Sequence, residues 1–291
     1  MTSSILRRCV LRAGALAAIT APFPWAGTSA WAQTGAAGRK APGTSGWRLL
    51  VNEAVTGDSN IFLLTARYQP LADFISGEFK GKSISVEPVV DIQRFISLAQ
   101  RMPGPELVFG KSVNQLAKLV RDGGYQPVVR RADPYKAAFI VAKDSPIKTL
   151  ADAARTKARI IMPDEHAATT AVARAELRRQ NVGAIDIVHT RYQEAVAQQV
   201  SAGLAQVGVV NPTIARKWAQ DGGRVLAETQ PVVNWSLLAS SALHENEVNH
   251  LREALMAMKS THAGLMQGLG VKEWARAERK DYLALLDYTR E

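Results

Sequence analysis

Short, uniformly apolar runs alternate with longer segments of helical spacing along most of the chain. The run 137–142 is too short to span a membrane and suits a strand buried on both faces. In 149–152, a threonine followed three residues later by an aspartate predicts the start of a helix. A second apolar run, 159–162, ends at Pro163 and leads into another helix-like segment. This alternation predicts an open α/β sheet, in which ligands bind beyond the carboxyl ends of strands.

The same alternation extends to both sides of this stretch. Apolar spacing predicts helices over 61–79, around 95–98, around 116–120, over 193–202 and from residue 246 onward. Further short strands are predicted at 47–51, 82–88, 106–109, 125–129, 185–188 and 205–210. The sequence has no internal repeat, so we expect one α/β architecture and not a repeat array.

Several of these segments, in this order and spacing, resemble a known family between residues 67 and 154. They are RYQPLADFIS, ELVFGKS, GGYQPVVR and DPYKAAFIVAKDSPIKTLADA. The chain resembles the phosphate/phosphite/phosphonate-type periplasmic substrate-binding proteins of ABC transporters over roughly 47–260. The resemblance implies a type II periplasmic-binding-protein fold, a two-lobed α/β clamshell in which helices flank a central sheet in each lobe.

The resemblance also implies how the lobes divide the chain. Lobe one would comprise 47–136 plus 237–291, and lobe two 137–236. Two hinge crossings, near 136–142 and 232–238, would join the lobes.

The amino terminus has the layout of an export signal. Residues 1–32 combine a basic start, an apolar stretch of small residues and the motif Ala30-Trp31-Ala32, and the pair Arg7-Arg8 is typical of a twin-arginine signal. We expect cleavage after Ala32 and a periplasmic protein that is not embedded in the membrane in its mature form. Residues 33–46, rich in glycine and alanine, are predicted to be a flexible lead-in.

Composition narrows the partners and the chemistry. The formal charge of the 291 residues is +10, and removal of three arginines with the signal leaves 33 basic against 26 acidic residues, or +7. These charges are scattered without a nucleic-acid-binding motif, so we expect no nucleic-acid partner. The one cysteine, Cys9, lies in the signal, so the mature chain has no disulfide, thiolate metal site or cysteine nucleophile. We expect a monomer without a cofactor or metal.

The first candidate ligand segment is Gly110-Lys111-Ser112, which follows a predicted strand. Glycine lets backbone approach a ligand closely, lysine adds positive charge, and serine supplies a hydroxyl and a helix N-cap. A helix start binds anions through its free N–H groups and partial positive charge. The alternative is a plain strand-to-helix turn with an exposed lysine.

The second candidate is 163–170, again at a predicted helix start. Phosphonate-binding relatives carry a Ser/Thr-rich run with a glycine here, whereas this chain has Glu165 and His166, with Thr169 and Thr170 shifted toward the helix. A carboxylate close to a phosphonate would repel it, so the usual ligand of the family is open to question. His166 could donate to an anion, bind a metal or lie on the surface, and Asp164 could simply cap the helix.

The third set of candidates comes from the positions that face the cleft in the related family. Asn52 and Glu53 follow the first strand, and Asn211 ends a strand on the opposite lobe. Tyr135 and Trp235 would wall the cleft, with buried hinge packing as the alternative.

These expectations define a binding protein and not an enzyme. The sequence has no GxSxG, HExxH or phosphate-binding glycine loop, and its histidines lack metal-ligand spacing, so no catalytic residue is assigned. We expect capture of a small, anionic ligand, a phosphonate- or phosphate-like oxyanion or a carboxylated molecule, and delivery to an ABC permease. The alternative is a periplasmic sensing subunit for a receptor or histidine kinase. A redox or metal accessory protein, suggested by the twin-arginine signal, is disfavoured by the missing cysteines.

Overall fold

The computed structural model describes residues 46–54, 60–101, 103–183, 185–258 and 260–291. Its strands are β1 Trp47–Asn52, β2 Ile84–Pro88, β3 Leu107–Gly110, β4 Gln126–Arg131, β5 Ala138–Val141, β6 Ile160–Met162, β7 Ile187–His189, β8 Val207–Val210, β9 Arg224–Glu228, β10 Ser236–Ala239 and β11 Trp274–Arg276. Its α-helices are α1 Ile61–Glu78, α2 Ile92–Ala99, α3 Val113–Asp122, α4 Leu150–Arg155, α5 Ala168–Arg179, α6 Gln193–Ser201, α7 Pro212–Gln220, α8 Glu245–Met256, α9 Ala263–Leu269 and α10 Arg279–Thr289. A 3₁₀ turn spans Ser260–His262.

These strands form two sheets. The first has the order β11-β4-β10-β3-β1-β2, and the second has the order β7-β6-β8-β5-β9. In the first sheet β1 lies parallel to both β2 and β3, whereas β10 enters antiparallel between β3 and β4. In the second sheet β6 lies parallel to β7 and β8, and β5 is antiparallel to β8 and β9. The structure therefore confirms a two-lobed α/β architecture, with one sheet in each lobe.

The apolar runs become the central strands because both of their faces are covered by helices. Every residue of β5 is buried, as its unbroken apolar sequence predicts. The predicted helix start at Thr149 is also present as α4. Asp152 N donates to Thr149 Oγ1 at 3.0 Å, and Thr149 N donates to Asp152 Oδ2 at 3.1 Å, which completes a reciprocal capping box.

The segments that link the sheets differ from the predicted hinges. Most of 136–142 is β5, whereas 232–238 combines the last four residues of a linking segment with the first three residues of β10. The linking segments are 132–137 and 229–235, and an isolated antiparallel bridge joins Tyr135 to Val232 between them. The crossings therefore run side by side as a pair. The predicted lobe boundaries remain a prediction, and the predicted export signal and most of the lead-in lie outside the described residues.

A cluster of buried side chains extends across both lobes. It includes Leu116 of α3 and Phe139 of β5, together with Tyr135 of the crossing and Val172 of α5. The described structure is therefore a closed arrangement in which the lobes pack against each other.

Candidate functional site

The first-lobe candidates meet at the ends of two neighbouring strands. Asn52 of β1 is the register partner of Gly110 of β3, and Lys111 N donates to Asn52 O at 3.1 Å. The Asn52 side chain is used within the lobe, because its Nδ2 donates to Val89 O at 2.8 Å and its Oδ1 accepts from Ala54 N. It therefore braces the loop after β1.

Gly110 lies close to the Leu116 side chain of its own lobe. A Cβ at this position would lie 3.1 Å from Leu116 Cδ2 of α3. Packing of α3 on the strand end is therefore one reason for glycine here, beside the predicted approach to a ligand.

Glu53 and Lys111 form a buried ion pair. Lys111 Nζ lies 2.7 Å from Glu53 Oε2, Arg67 Nη1 lies 2.9 Å from Glu53 Oε1, and Tyr68 donates its hydroxyl to Oε1 at 2.8 Å. Burial alone would raise the pKa of Glu53, but Lys111, Arg67 and Tyr68 outweigh it and hold the pKa below its ordinary value. Glu53 thus stays ionised at neutral pH and shares Lys111 with any ligand.

Trp235 lies between two cations. Lys111 Nζ is 4.1 Å from its ring centroid, and the Arg131 guanidinium is 4.4 Å from it. Arg131 is also bonded to Asp133, with Nη2 2.6 Å from Oδ2. Trp235 therefore positions Lys111 and Arg131 by cation–π contacts, and both cations compete with any ligand for its faces.

The first turn of α3 carries two buried polar atoms without a hydrogen-bond partner among the described residues, Ser112 Oγ and Asn114 Oδ1. Ser112 occupies the N-cap position, but its side chain makes no cap hydrogen bond, so the predicted capping hydroxyl is wrong. The α3 start therefore offers a hydroxyl and an uncapped helix terminus beside Lys111. Together these groups can bind an oxyanion.

The second-lobe loop 163–170 contacts the start of α3 directly. His166 O accepts hydrogen bonds from Asn114 Nδ2 at 3.2 Å and Gln115 Nε2 at 3.1 Å, and the His166 ring is 2.5 Å from Gln93 Nε2. These contacts place His166 at the junction of the lobes. The Glu165 side chain is 59% exposed, and its Oε1 lies 3.6 Å from His166 Nε2 at the rim of that junction.

Asp164 does not cap the following helix, contrary to one alternative from the sequence. Helix α5 begins at Ala168 and its N-cap residue is Ala167, which has no side chain able to bond. Asp164 Oδ1 instead accepts from His166 N at 2.8 Å and fixes the loop one turn earlier. The α5 start thus lacks a side-chain cap as well.

The hydroxyls of Thr169 and Thr170 are engaged inside the protein. Tyr135 OH and Gln193 Nε2 lie 2.5 and 3.1 Å from Thr169 Oγ1, and Thr170 Oγ1 donates to Pro163 O at 3.2 Å. Burial raises the pKa of Tyr135 to about 12, which keeps its hydroxyl protonated. In this closed arrangement Tyr135 and Thr169 connect the crossing to α5, and Thr170 holds the loop that precedes α5.

Asn211 follows β8 and caps α7. Its Oδ1 accepts from Thr213 N and Ile214 N, each at 2.9 Å. Its own N–H donates to Gln193 Oε1 at 2.6 Å. Gln193, which the sequence did not single out, therefore ties Asn211 to Thr169.

A small gap separates the lobes beside these contacts. Ala54 and Ile92 line it from the first lobe, and Asp164 and Arg191 from the second. Its volume is about 30 Å³, enough only for water. Arg191 is a second residue missed from the sequence, where it looks like any exposed arginine next to a strand end.

The described residues contain no group of three or more His, Cys, Asp or Glu side chains arranged to hold a metal ion. None of the helices in the described part is both long and apolar enough to cross a membrane.

Comparison with known proteins decides the family. The sequence model described as "ABC transporter, phosphonate, periplasmic substrate-binding protein" matches residues 63–282, most of the chain. The chain belongs to this family. It is thus a periplasmic substrate-binding protein of the phosphonate ABC-transporter family, whose members are solute-binding transport proteins and not enzymes. A comparison with curated proteins found no match.

Solved structures of related fold agree with this assignment. XAC2383 from Xanthomonas citri bound to ATP superposes with a TM-score of 0.70 at 14% identity, covering 84% of this chain and 97% of that one. PhnD1 from Prochlorococcus marinus in complex with methylphosphonate superposes with a TM-score of 0.67 at 14% identity, and again 84% of this chain and 97% of that one are covered. The aliphatic sulphonate binding protein SsuA from Escherichia coli superposes with a TM-score of 0.53 at 16% identity, covering 84% of this chain and 83% of that one. At these identities the likeness establishes the fold.

Proposed function

We propose that the protein captures a small anion between its lobes and delivers it to an ABC permease. The observation that carries this proposal is the α3 start, where the fully buried Ser112 hydroxyl has no partner among the described residues and the helix terminus that follows Lys111 has no side-chain cap. An unbonded buried hydroxyl costs about 1–3 kcal/mol, so a ligand that bonds to Ser112 recovers that free energy.

The charged and donor groups at this junction favour an anionic ligand. An ammonium group has three N–H donors, so Lys111 can bond a ligand oxygen while it keeps Glu53. His166 and Arg191 add donors from the second lobe. The Glu165 carboxylate lies 3.6 Å from His166 Nε2, and its 59% exposure lets solvent screen its repulsion of a bound anion. Asn52, Gly110, Thr169, Thr170, Tyr135, Asn211 and Trp235 would shape and brace the site.

The ligand class follows from the same contacts. The threonine hydroxyls that would wrap a phosphonate are bonded inside the protein, so the first-lobe groups would supply most of the anion contacts. A phosphonate- or phosphate-like oxyanion and a small carboxylate both match that set. Relatives of this fold have been solved with methylphosphonate and, for MatC from Rhodopseudomonas palustris, with malate.

A thermal-shift screen would identify the ligand. Phosphate, phosphite, methylphosphonate, sulfate, malate and other small carboxylates are tested with the purified protein. At 100 times its dissociation constant, a ligand stabilises by about 2.7 kcal/mol, which raises Tm by roughly 5–10 °C.

The decisive comparison is between Lys111→Met and Lys217→Met, because Lys217 lies on the exposed surface of α7. The Lys111 variant should lose most of the shift and the salt dependence of binding, whereas the Lys217 variant keeps both. Equal shifts in the two variants would remove Lys111 from the site. No shift with any anion would contradict the anionic ligand.

The remaining parts of the proposal have direct tests. Mass spectrometry of the exported protein should find Gln33 as its first residue, as expected for cleavage after Ala32. Light scattering should give the mass of a monomer. Genes for a permease and an ATPase next to this one would support transport, whereas a histidine kinase gene would support sensing.

A further inference from the structure

A groove lies behind the hinge, outside the cleft between the lobes. Its walls are the two crossing segments, which contribute Pro134 and Val232, and α10, which contributes Ala284 and Tyr288. Its volume is about 450 Å³, within the roughly 300–1,000 Å³ range of small-molecule sites. It shares no lining residue with the gap at the lobe junction.

Arg130 gives the groove a cationic end. Its Nη1 donates to Arg131 O at 2.9 Å and Ala132 O at 3.1 Å, which fixes the guanidinium against the crossing. Its Nη2 makes no hydrogen bond or ion pair with any residue in the described part of the chain. Arg130 Nε is also buried without a hydrogen-bond partner among the described residues, so a guanidinium fixed through Nη1 alone is a preformed donor for a carboxylate.

The other walls limit which anion fits. Proline, valine, alanine and leucine side chains from 134, 231–233 and 284–285 form an apolar surface, which would pack against a hydrocarbon body. Asp281 lies in the same lining, so its negative charge disfavours a dianion. The fitting class is a small monocarboxylate with an apolar chain or ring.

We propose that this hinge groove is a second small-molecule site, which binds an apolar monocarboxylate through Arg130. A molecule there touches both crossings and α10 together. Because α10 packs on α3 of the first lobe and α5 of the second, occupancy would hold the crossings and the two lobes in this closed arrangement. Binding of a second metabolite in the groove would thus favour closure of the two lobes.

The test is a proton NMR titration of the purified protein with hexanoate and with hexanamide, which has the same shape without the charge. We expect saturable hexanoate binding and at least tenfold weaker hexanamide binding. Arg130→Met should weaken hexanoate at least tenfold, whereas Arg155→Met, on an arginine side chain that is 74% exposed on α4, should not.

A second variant tests whether hexanoate binds in this groove and leaves the charge of Arg130 in place. Ala284→Phe fills the groove from an exposed helix position and should abolish hexanoate binding, whereas Ala219→Phe on the exposed face of α7 should leave it intact. Both substitutions are at exposed helix positions outside the core, so we expect the variants to fold. Absence of hexanoate binding, or binding that survives both Arg130→Met and Ala284→Phe, would overturn the proposal.

Discussion

Glu53 is the buried charge on which the end of the first sheet depends. Its side chain is 4% exposed and bonds Lys111, Arg67 and Tyr68. Removal of one partner from a buried ion pair typically costs about 3–5 kcal/mol, because the other charge is left uncompensated. We therefore expect Glu53→Gln to lower the free energy of unfolding in urea by about 3 kcal/mol at neutral pH. Glu194→Gln, at an exposed position of α6, is the matched control and should change it little.

The same substitution has a defined pH dependence. The pKa of Glu53 is lower in the folded protein than its ordinary value of 4.5, so its stabilising contribution is complete above that value. The contribution is lost as the pH falls through the folded-state pKa. The difference between the wild type and Glu53→Gln should thus be constant from pH 6 to 8 and shrink below about pH 4. A difference that stayed constant into acid would show that lost packing, and not lost charge, causes the destabilisation.

The sequence could predict that the residues after β1 and β3 are neighbours, because a topological rule applies to them. Strand ends of a parallel sheet meet at one edge, so residues after β1 and β3 had to be neighbours. The rule does not say which side chains bond each other. Glu53 and Lys111 are 58 residues apart, and their ion pair depends on side-chain directions that one sequence does not contain. The sequence did not predict the positions of Gln193 and Arg191 either, because neither residue lies in a distinctive motif.

Helix α10 connects the lobes at a third place beside the two crossings. Tyr288 OH of α10 donates to Glu176 Oε2 of α5 at 3.0 Å, and Arg178 Nη2 of α5 donates to Thr289 O of α10 at 2.6 Å. Glu176 is fully buried at the side chain, so its carboxylate needs hydrogen-bond donors, and Tyr288 supplies one of them from α10. The sequence predicted a helical C-terminal region on the first lobe and not this contact with the second.

Tyr288→Phe tests this connection by removal of a single oxygen. A hydrogen bond to a charged group contributes about 1.5–3 kcal/mol, and Glu176 keeps Arg179 and Gln180 as donors in the variant, so we expect a loss near the lower end of this range and unfolding at a lower urea concentration. Amide hydrogen exchange should become faster in α5 and α10 while β1 and β3 keep their protection. Tyr192→Phe is the control, because Tyr192 is partly exposed and its hydroxyl makes no hydrogen bond within the described structure. Unchanged exchange in α5 would mean that α10 does not hold the second lobe.

The predicted elements were most accurate where burial is complete and least where strands are short or at an edge. Strands β5, β6 and β8 are buried throughout and appear as apolar runs. Strand β9 lies at the edge of its sheet with partly exposed residues, and β11 has three residues, so neither gives an apolar pattern. Helix α7 was missed although Asn211 and Pro212 have the sequence of a helix start.

The closed arrangement of the whole molecule is held at the junction by few polar contacts. His166 supplies most of them, through its carbonyl to Asn114 and Gln115 and through its ring to Gln93. Family resemblance predicted two lobes that close on a ligand, but it could not show which residues of the two lobes contact each other. Among the three partners, Gln93 is exposed, so its side chain can be removed with little loss of stability.

Gln93→Ala should therefore shift the protein toward an open form. A compact chain of about 250 residues has a radius of gyration near 18 Å, and we expect small-angle X-ray scattering to give a value close to this for the wild type and a larger one for the variant. Addition of the cleft ligand found in the thermal-shift screen should return the variant to the wild-type value, because the ligand supplies contacts from both lobes. Gln69→Ala, on the exposed face of α1, is the control and should not change the scattering. Identical curves for the wild type and Gln93→Ala would mean that apolar packing across the lobes, and not the His166 contacts, sets the position of the hinge.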